Sequence, residues 1–339
     1  GGAIELLRVD MENMTYNGVE ASGTEMKVVF STFTDIPYSG ILLSGGRLVV
    51  TDTKFTLNQP LSSIFGPLYY ATANNSGIRT VDLSSFYVQY STFTGLQYGI
   101  YGIRTPATDI SNNRFDTEAG ILLYDILANQ PIKIVNNPEI KTKTFGIAIY
   151  PSSFDSPINI SNNLLKMEYP GYYSFSPGPD GYLNGTHSVG ISLSTLLPYS
   201  LAAGNNNRTI LGNSITCGAN SSGIFSGISA RGGNGLKIVN NSVDIKGGGM
   251  GMQSVFSPNV VMEENTVTGS QANVSVIGIY AGSDNLNTRL DCNHIYLQQG
   301  IGITLTVGDC SCLDESDPLT CTRIRGNDVH WQNPRAPHY

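Results

Sequence analysis

Apolar and polar residues alternate with a period of two through most of this chain, as in GIAIY at 146–150 and GISLS at 190–194. Such alternation is the mark of strands with one buried face. No segment holds the 3.6-residue period of an amphipathic helix. The alternation is also written repeatedly. ISNNRFDTEAGILLYD at 110–125 returns in altered form as IVNNSVDIKGGGMGM at 238–252 and as LDCNHIYLQQGIGI at 290–303.

Two markers recur inside the repeat. The first is a polar anchor two residues before an apolar one, preceded by alternating apolar residues. It reads as Ser31, Thr53, Ser91, Asn113, Asn163, Asn213, Asn241, Asn265, Asn293 and Asn327. Asn137 fits with one extra residue, and Glu12 fits poorly. The unit is 22–26 residues long, with insertions in some copies. The second marker is glycine followed by an apolar residue, at Gly40, Gly99, Gly120, Gly146, Gly190, Gly227, Gly249, Gly278 and Gly300.

One such unit has no partner for its inward side chains, whereas stacked units bury them continuously. The expected fold is therefore all-β: a single-stranded right-handed parallel β-helix, a solenoid of 11–12 rungs forming one domain over residues 1–339. Inserted loops fall near 57–70, 166–188 and 308–321. Stacked asparagines at one corner, Asn113, Asn137, Asn163, Asn213, Asn241, Asn265, Asn293 and Asn327, suit a hydrogen-bonded ladder, because the amide both donates and accepts. The glycines mark a second corner, where a positive φ or a close backbone approach is required.

These repeats resemble the right-handed β-helix of pectate-lyase-like proteins over roughly residues 3–331. The tail, with its CNHI rung and Gly326-Asn327-Asp328-Val329-His330-Trp331, resembles long secreted surface β-helix proteins of Bacteroidota. The resemblance implies a stalk, an adhesin, a phage spike or a polysaccharide lyase or hydrolase. The pectin hydrolases of this fold share NTD, GDD, GHG and RIK segments. Here only Arg323-Ile324-Arg325 looks like one of them, and it stands in the first strand of a rung. The YG-x-D-P-H motif of alginate epimerases is missing as well.

Composition narrows the classes. Charged residues make up 13% and the net charge is −7, with no basic block. Nucleic-acid binding, which draws on a positive patch, is not expected. No apolar run approaches the ~20 residues that span a bilayer. The chain opens in strand sequence without Met or signal peptide and reads as a piece of a longer precursor. Cys292, Cys310, Cys312 and Cys321 fall within thirty residues without zinc-site spacing. Two disulfides among them, of open pairing, are expected, and with them an extracellular or cell-surface location; free thiols throughout are the alternative. Cys217 is left over as a small buried side chain.

Candidate chemistry is sparse. Asp116 and Glu118, Lys141 and Lys143, and Lys166 and Glu168 follow successive anchors at similar offsets. They form either an acid–base cleft or a surface ladder of opposite charges, the ladder being the expectation. The longest insertion carries Tyr169, Tyr172, Tyr173, Phe175, Asp180 and Tyr182, and the 57–70 insertion carries Phe65, Tyr69 and Tyr70. Aromatics on long loops stack on sugars, touch a neighbouring subunit, or simply pin the loop to the wall. The loop with Asp309, Asp314, Glu315 and Asp317 has oxygen ligands of the kind Ca²⁺ takes, but neither an EF-hand nor a nonapeptide repeat. No cofactor is expected. His294, His330 and His338 read as isolated surface or corner residues. The partners expected are the chain itself end to end, or neighbouring domains of a longer chain, and a polysaccharide in the enzymatic alternative.

Overall fold

The computed structural model describes residues 2–58, 75–105, 107–126, 131–151, 156–168, 187–194, 207–218, 224–271, 274–282, 287–305 and 323–331. Among them every regular element is a β-strand. Neighbouring strands pair in parallel, each with the equivalent strand of the next turn. A full rung has three strands, seen cleanly at Ala107–Ser111, Arg114–Asp116 and Ala119–Ile126. These are called here the anchor strand, the short strand and the glycine strand. In the early rungs a glycine strand runs unbroken into the next anchor strand, as in Ser39–Thr51 and Ser76–Gln89. The short strands stack into a 12-stranded sheet, and the others form a continuous 20-stranded sheet among the described residues. The result is a right-handed parallel β-helix of twelve described rungs.

The interior is built in columns. The middle residue of each short strand points inward, and Phe33, Phe55, Phe93 and Phe115 occupy four successive rungs. Their rings stack at 4.8–5.0 Å with interplanar angles of 4–9°. That separation is the strand spacing itself, so one ring per rung fills the column. Further along, Ile140, Leu165, Ile215, Val243, Val267 and Ile295 continue it with aliphatic chains, all buried. Each fully buried large side chain contributes roughly 1.5–3 kcal/mol.

The paired asparagines of the repeat divide two tasks. The first of each pair, as in Asn112-Asn113, takes the left-handed conformation that turns the corner. The second faces inward and joins the ladder. The residue before the anchor has φ between 50° and 62° in all twelve described rungs. Asn or Gly fills this place in six of them, at Asn112, Asn136, Asn162, Gly212, Asn240 and Gly326, as left-handed backbone favours. Arg8, Phe30, Asp52, Tyr90, Glu264 and Cys292 hold the same conformation. The anchor column begins at Val9, whose N–H donates to Ser31 Oγ. Glu12 lies three residues further on, at the end of the first short strand, which is why it fitted the pattern poorly.

The glycine marker needs two corrections. None of Gly40, Gly99, Gly120, Gly146, Gly190, Gly227 and Gly278 has a positive φ; the close approach alone requires them. A Cβ on Gly99 would lie 2.5 Å from Phe115 Cδ1 and 2.9 Å from Gly120 O. The register also places Gly251 and Gly302 in this column rather than Gly249 and Gly300, since Met252 pairs with Ile279 and Ile279 with Ile303. Gly18 and Gly77 belong to it as well. Gly249 and Gly300 instead have φ of 134° and 133°.

Candidate functional site

The turns that lead from short strand to glycine strand form a groove parallel to the helix axis. It is lined by Leu57 and Asn58, Thr94–Gln97, Asp116–Glu118, Lys141–Lys143 and Glu168, one group per rung over five rungs. Asn58 and Glu168 are the last described residues before the two aromatic insertions. Both insertions are thus rooted on one groove. The predicted contact residues themselves, Phe65, Tyr69, Tyr70, Tyr169, Tyr172, Tyr173, Phe175, Asp180 and Tyr182, lie outside the described residues.

The predicted charge column is present and its members pair. Lys141 Nζ lies 3.3 Å from Asp116 and 3.1 Å from Glu168. Lys143 lies 3.7 Å from Glu118. Lys166 turns to Glu139, at 2.9 Å, which also receives Arg114 at 3.6 Å. Sequence reading missed Arg114 and Glu139; they sit two residues earlier on the same strands, on the same outward face. The hydrogen bond to Glu168, with Asp116 adding to it against the opposing effect of burial, holds the Lys141 ammonium above its usual range. The hydrogen bond from Lys166 holds the Glu139 carboxyl below its own. Both shifts favour the charged forms, the opposite of what a proton-transfer pair near neutrality needs. Beside these charges Gln97 Oε1 is buried without a hydrogen-bond partner.

One wall beside the groove is aromatic, which sequence reading also missed. Tyr98, Phe145 and Tyr150 are buried on the outer face with Ala119, Leu122 and Ala148, and Tyr101 and Tyr124 pack against them. Tyr98 and Tyr101 stack at 5.5 Å. Burial pushes the Tyr98 and Tyr150 hydroxyls up to about 12, so both are neutral donors at physiological pH. The signal in the sequence was an aromatic just before the column glycine, as in Tyr98-Gly99 and Phe145-Gly146.

Arg323 and Arg289 both bind the nearly buried carboxylate of Asp291, which gives Arg323, the first residue of the Arg-Ile-Arg segment, a structural role. His294 and His330 are not isolated: His294 Nδ1 lies 3.4 Å from Asp328, and His330 stacks on Tyr296 at 5.3 Å. Cys217 is buried, and burial pushes its thiol up to about 12. Cys292 is exposed and forms no disulfide with a described residue. Cys310, Cys312 and Cys321 lie outside the described residues, as do Asp309, Asp314, Glu315, Asp317 and His338. No group of metal-ligating side chains occurs among the described residues, and no helix there is long and apolar enough to cross a membrane.

The ladder, the glycine column and the parallel register together point to one family, and a family model described as "Right handed beta helix region" matches residues 1–174. The chain belongs to that family. The match covers just over half of this right-handed β-helix and stops short of the tail. Neither a search of curated proteins nor one of solved structures gave a match.

Proposed function

We propose that this β-helix is a structural and adhesive module of the cell surface or extracellular space, joined end to end with further rungs of its own or another chain. One observation carries the reading. Ile324 stands in the interior column above Leu290, which is 0% exposed, yet Ile324 is 49% exposed. The last described rung thus has an apolar interior surface and strand edges that pair with no further described strand, which suits the stacking of a next rung. The cysteine-rich tail is consistent with an oxidising location. Electron microscopy of the protein from its native source tests the reading: rods lengthened by end-to-end stacking are expected, and dispersed rods of one length would refute it.

The second reading is a polysaccharide-active enzyme, lyase before hydrolase. Carboxylates and lysines do converge in the groove at the roots of the aromatic insertions, which favours a ligand there. Their mutual neutralisation favours holding a ligand over cleaving one. A polysaccharide-degradation screen decides between them: product release that Lys141→Met abolishes would install the enzyme in place of the adhesin.

A further inference from the structure

Charges on this molecule usually pair with the next rung. Lys27 meets Glu5, Arg47 meets Glu25, and Arg104 meets Asp82. The corner of the first three rungs departs from this habit. Arg8, Phe30 and Asp52 follow one another in the left-handed column. Asp10, Thr32 and Lys54 follow one another beside them in the outward column of the short strands. Arg8, Asp10, Asp52 and Lys54 are exposed, and none has an ion partner among the described residues. In each column the opposite charges are two rungs apart, roughly 9.6 Å from the strand spacing, and they do not pair with each other within the molecule. A neutral residue stands between them. One is Phe30, 55% exposed, held in a conformation that bulky side chains avoid.

The pattern is positive, aromatic, negative in one column and negative, hydroxyl, positive in the other. A two-fold axis through the second rung, perpendicular to the helix axis, exchanges rungs one and three and maps each column onto itself. We propose that this corner docks a second copy of the chain, antiparallel and side by side. Arg8 then meets the partner's Asp52, Asp10 meets the partner's Lys54, and Phe30 stacks on the partner's Phe30. Each contact occurs twice, as an isologous interface requires. The patch spans three rungs, at the small end of specific interfaces, so the dimer is weak and salt-sensitive. It is separate from end-to-end stacking, and paired rods differ visibly from lengthened ones.

Sedimentation equilibrium of the full chain at low and high salt tests the pairing through a charge exchange. Arg8→Asp and Asp52→Arg are each expected to weaken self-association about tenfold, because each turns two attractions into repulsions. The double variant is expected to restore it. Arginine at Arg8 already tolerates this backbone conformation, so the variants keep the fold. Phe30→Asn is expected to weaken association, whereas Tyr90→Asn relieves the same backbone strain one rung beyond the contact and leaves association unchanged. A chain that stays monomeric at its solubility limit overturns the proposal. So do single reversals without effect. A double variant that remains weak overturns the antiparallel arrangement, since a parallel pair would set Arg8 against the partner's Asp10.

Discussion

Asn137 donates twice to one atom: its backbone N–H at 3.2 Å and its side-chain Nδ2 at 2.7 Å both end on Asn163 Oδ1. Asn163 does the same to Asn213, at 3.0 and 2.9 Å, while its Nδ2 also reaches back to Ile134 O at 2.9 Å. The motif repeats to Asn327. Each amide thus ties three consecutive turns together, and its polar atoms are satisfied without water.

Replacing a ladder residue strands several buried partners at once. Asn163→Ala leaves the Asn137 N–H without its acceptor and takes one partner each from Asn137 Nδ2, which keeps Ile110 O, and from Ile134 O. An unmet buried group costs about 1–3 kcal/mol, and the two partial losses add to it, so a loss of about 2–4 kcal/mol is expected. Chemical denaturation of the variant measures it; a loss below ~1 kcal/mol would mean that the ladder is incidental to stability.

The glycine column is sterically closed. Gly99→Ala forces a methyl into Phe115 and the Gly120 carbonyl. A destabilisation of about 1–3 kcal/mol is expected, as for other overpacked sites. Gly23→Ala is the contrast, because its φ of 63° disfavours alanine in open space with nothing within 4 Å. That penalty comes from the backbone alone, about 1 kcal/mol. Thermal melts of the two variants separate crowding from conformation.

Tyr90 is 58% exposed and left-handed. Its ring loses little packing on removal, so Tyr90→Asn is expected to raise stability by up to about 1 kcal/mol. A lower melting temperature would show that the ring has a packing role on the free molecule.

Acid is expected to loosen the end of the stack. The hydrogen bond from Arg323, joined by that from Arg289 against the opposing effect of burial, holds the Asp291 carboxyl below the ordinary carboxylate value. A depressed folded-state pKa contributes stability that is complete above the unfolded value and is lost as pH falls through the folded one. Stability should therefore decline from about pH 4 downward, and Asp291→Asn should flatten that part of the profile. An unchanged acid limb in the variant would assign the decline to other carboxylates.

The fold was legible because its two periods are written in residue types that nothing else explains. The asparagine anchor, present in every turn from Asn113 onward, and the recurring glycine survive insertions, so Asn163 and Asn213 were aligned across fifty residues. Register within a strand was less legible. Gly300 and Gly302 lie two apart on an alternating strand, which makes them equivalent in pattern, and only pairing across rungs separates them. The charge column at Asp116, Lys141 and Lys166 was readable from offsets. Its closing partners were not, because Glu139 and Arg114 come from a neighbouring column, and Glu139 meets Lys166 and Arg114 only once the sheet exists. The groove was invisible for the same reason: its walls come from five turns far apart in sequence.

The ladder also makes length a stepwise quantity. Asn241 and Asn265 are one turn apart and 24 residues apart. Excising Asn241–Glu264 would set Asn265 beneath Asn213 with every acceptor still facing its donor, whereas cutting a few residues from within a strand would misalign the whole stack. Such a molecule is a ruler graduated in whole turns of nearly 5 Å, the separation of its stacked rings. Its reach is altered by copying or deleting a graduation, never by trimming one.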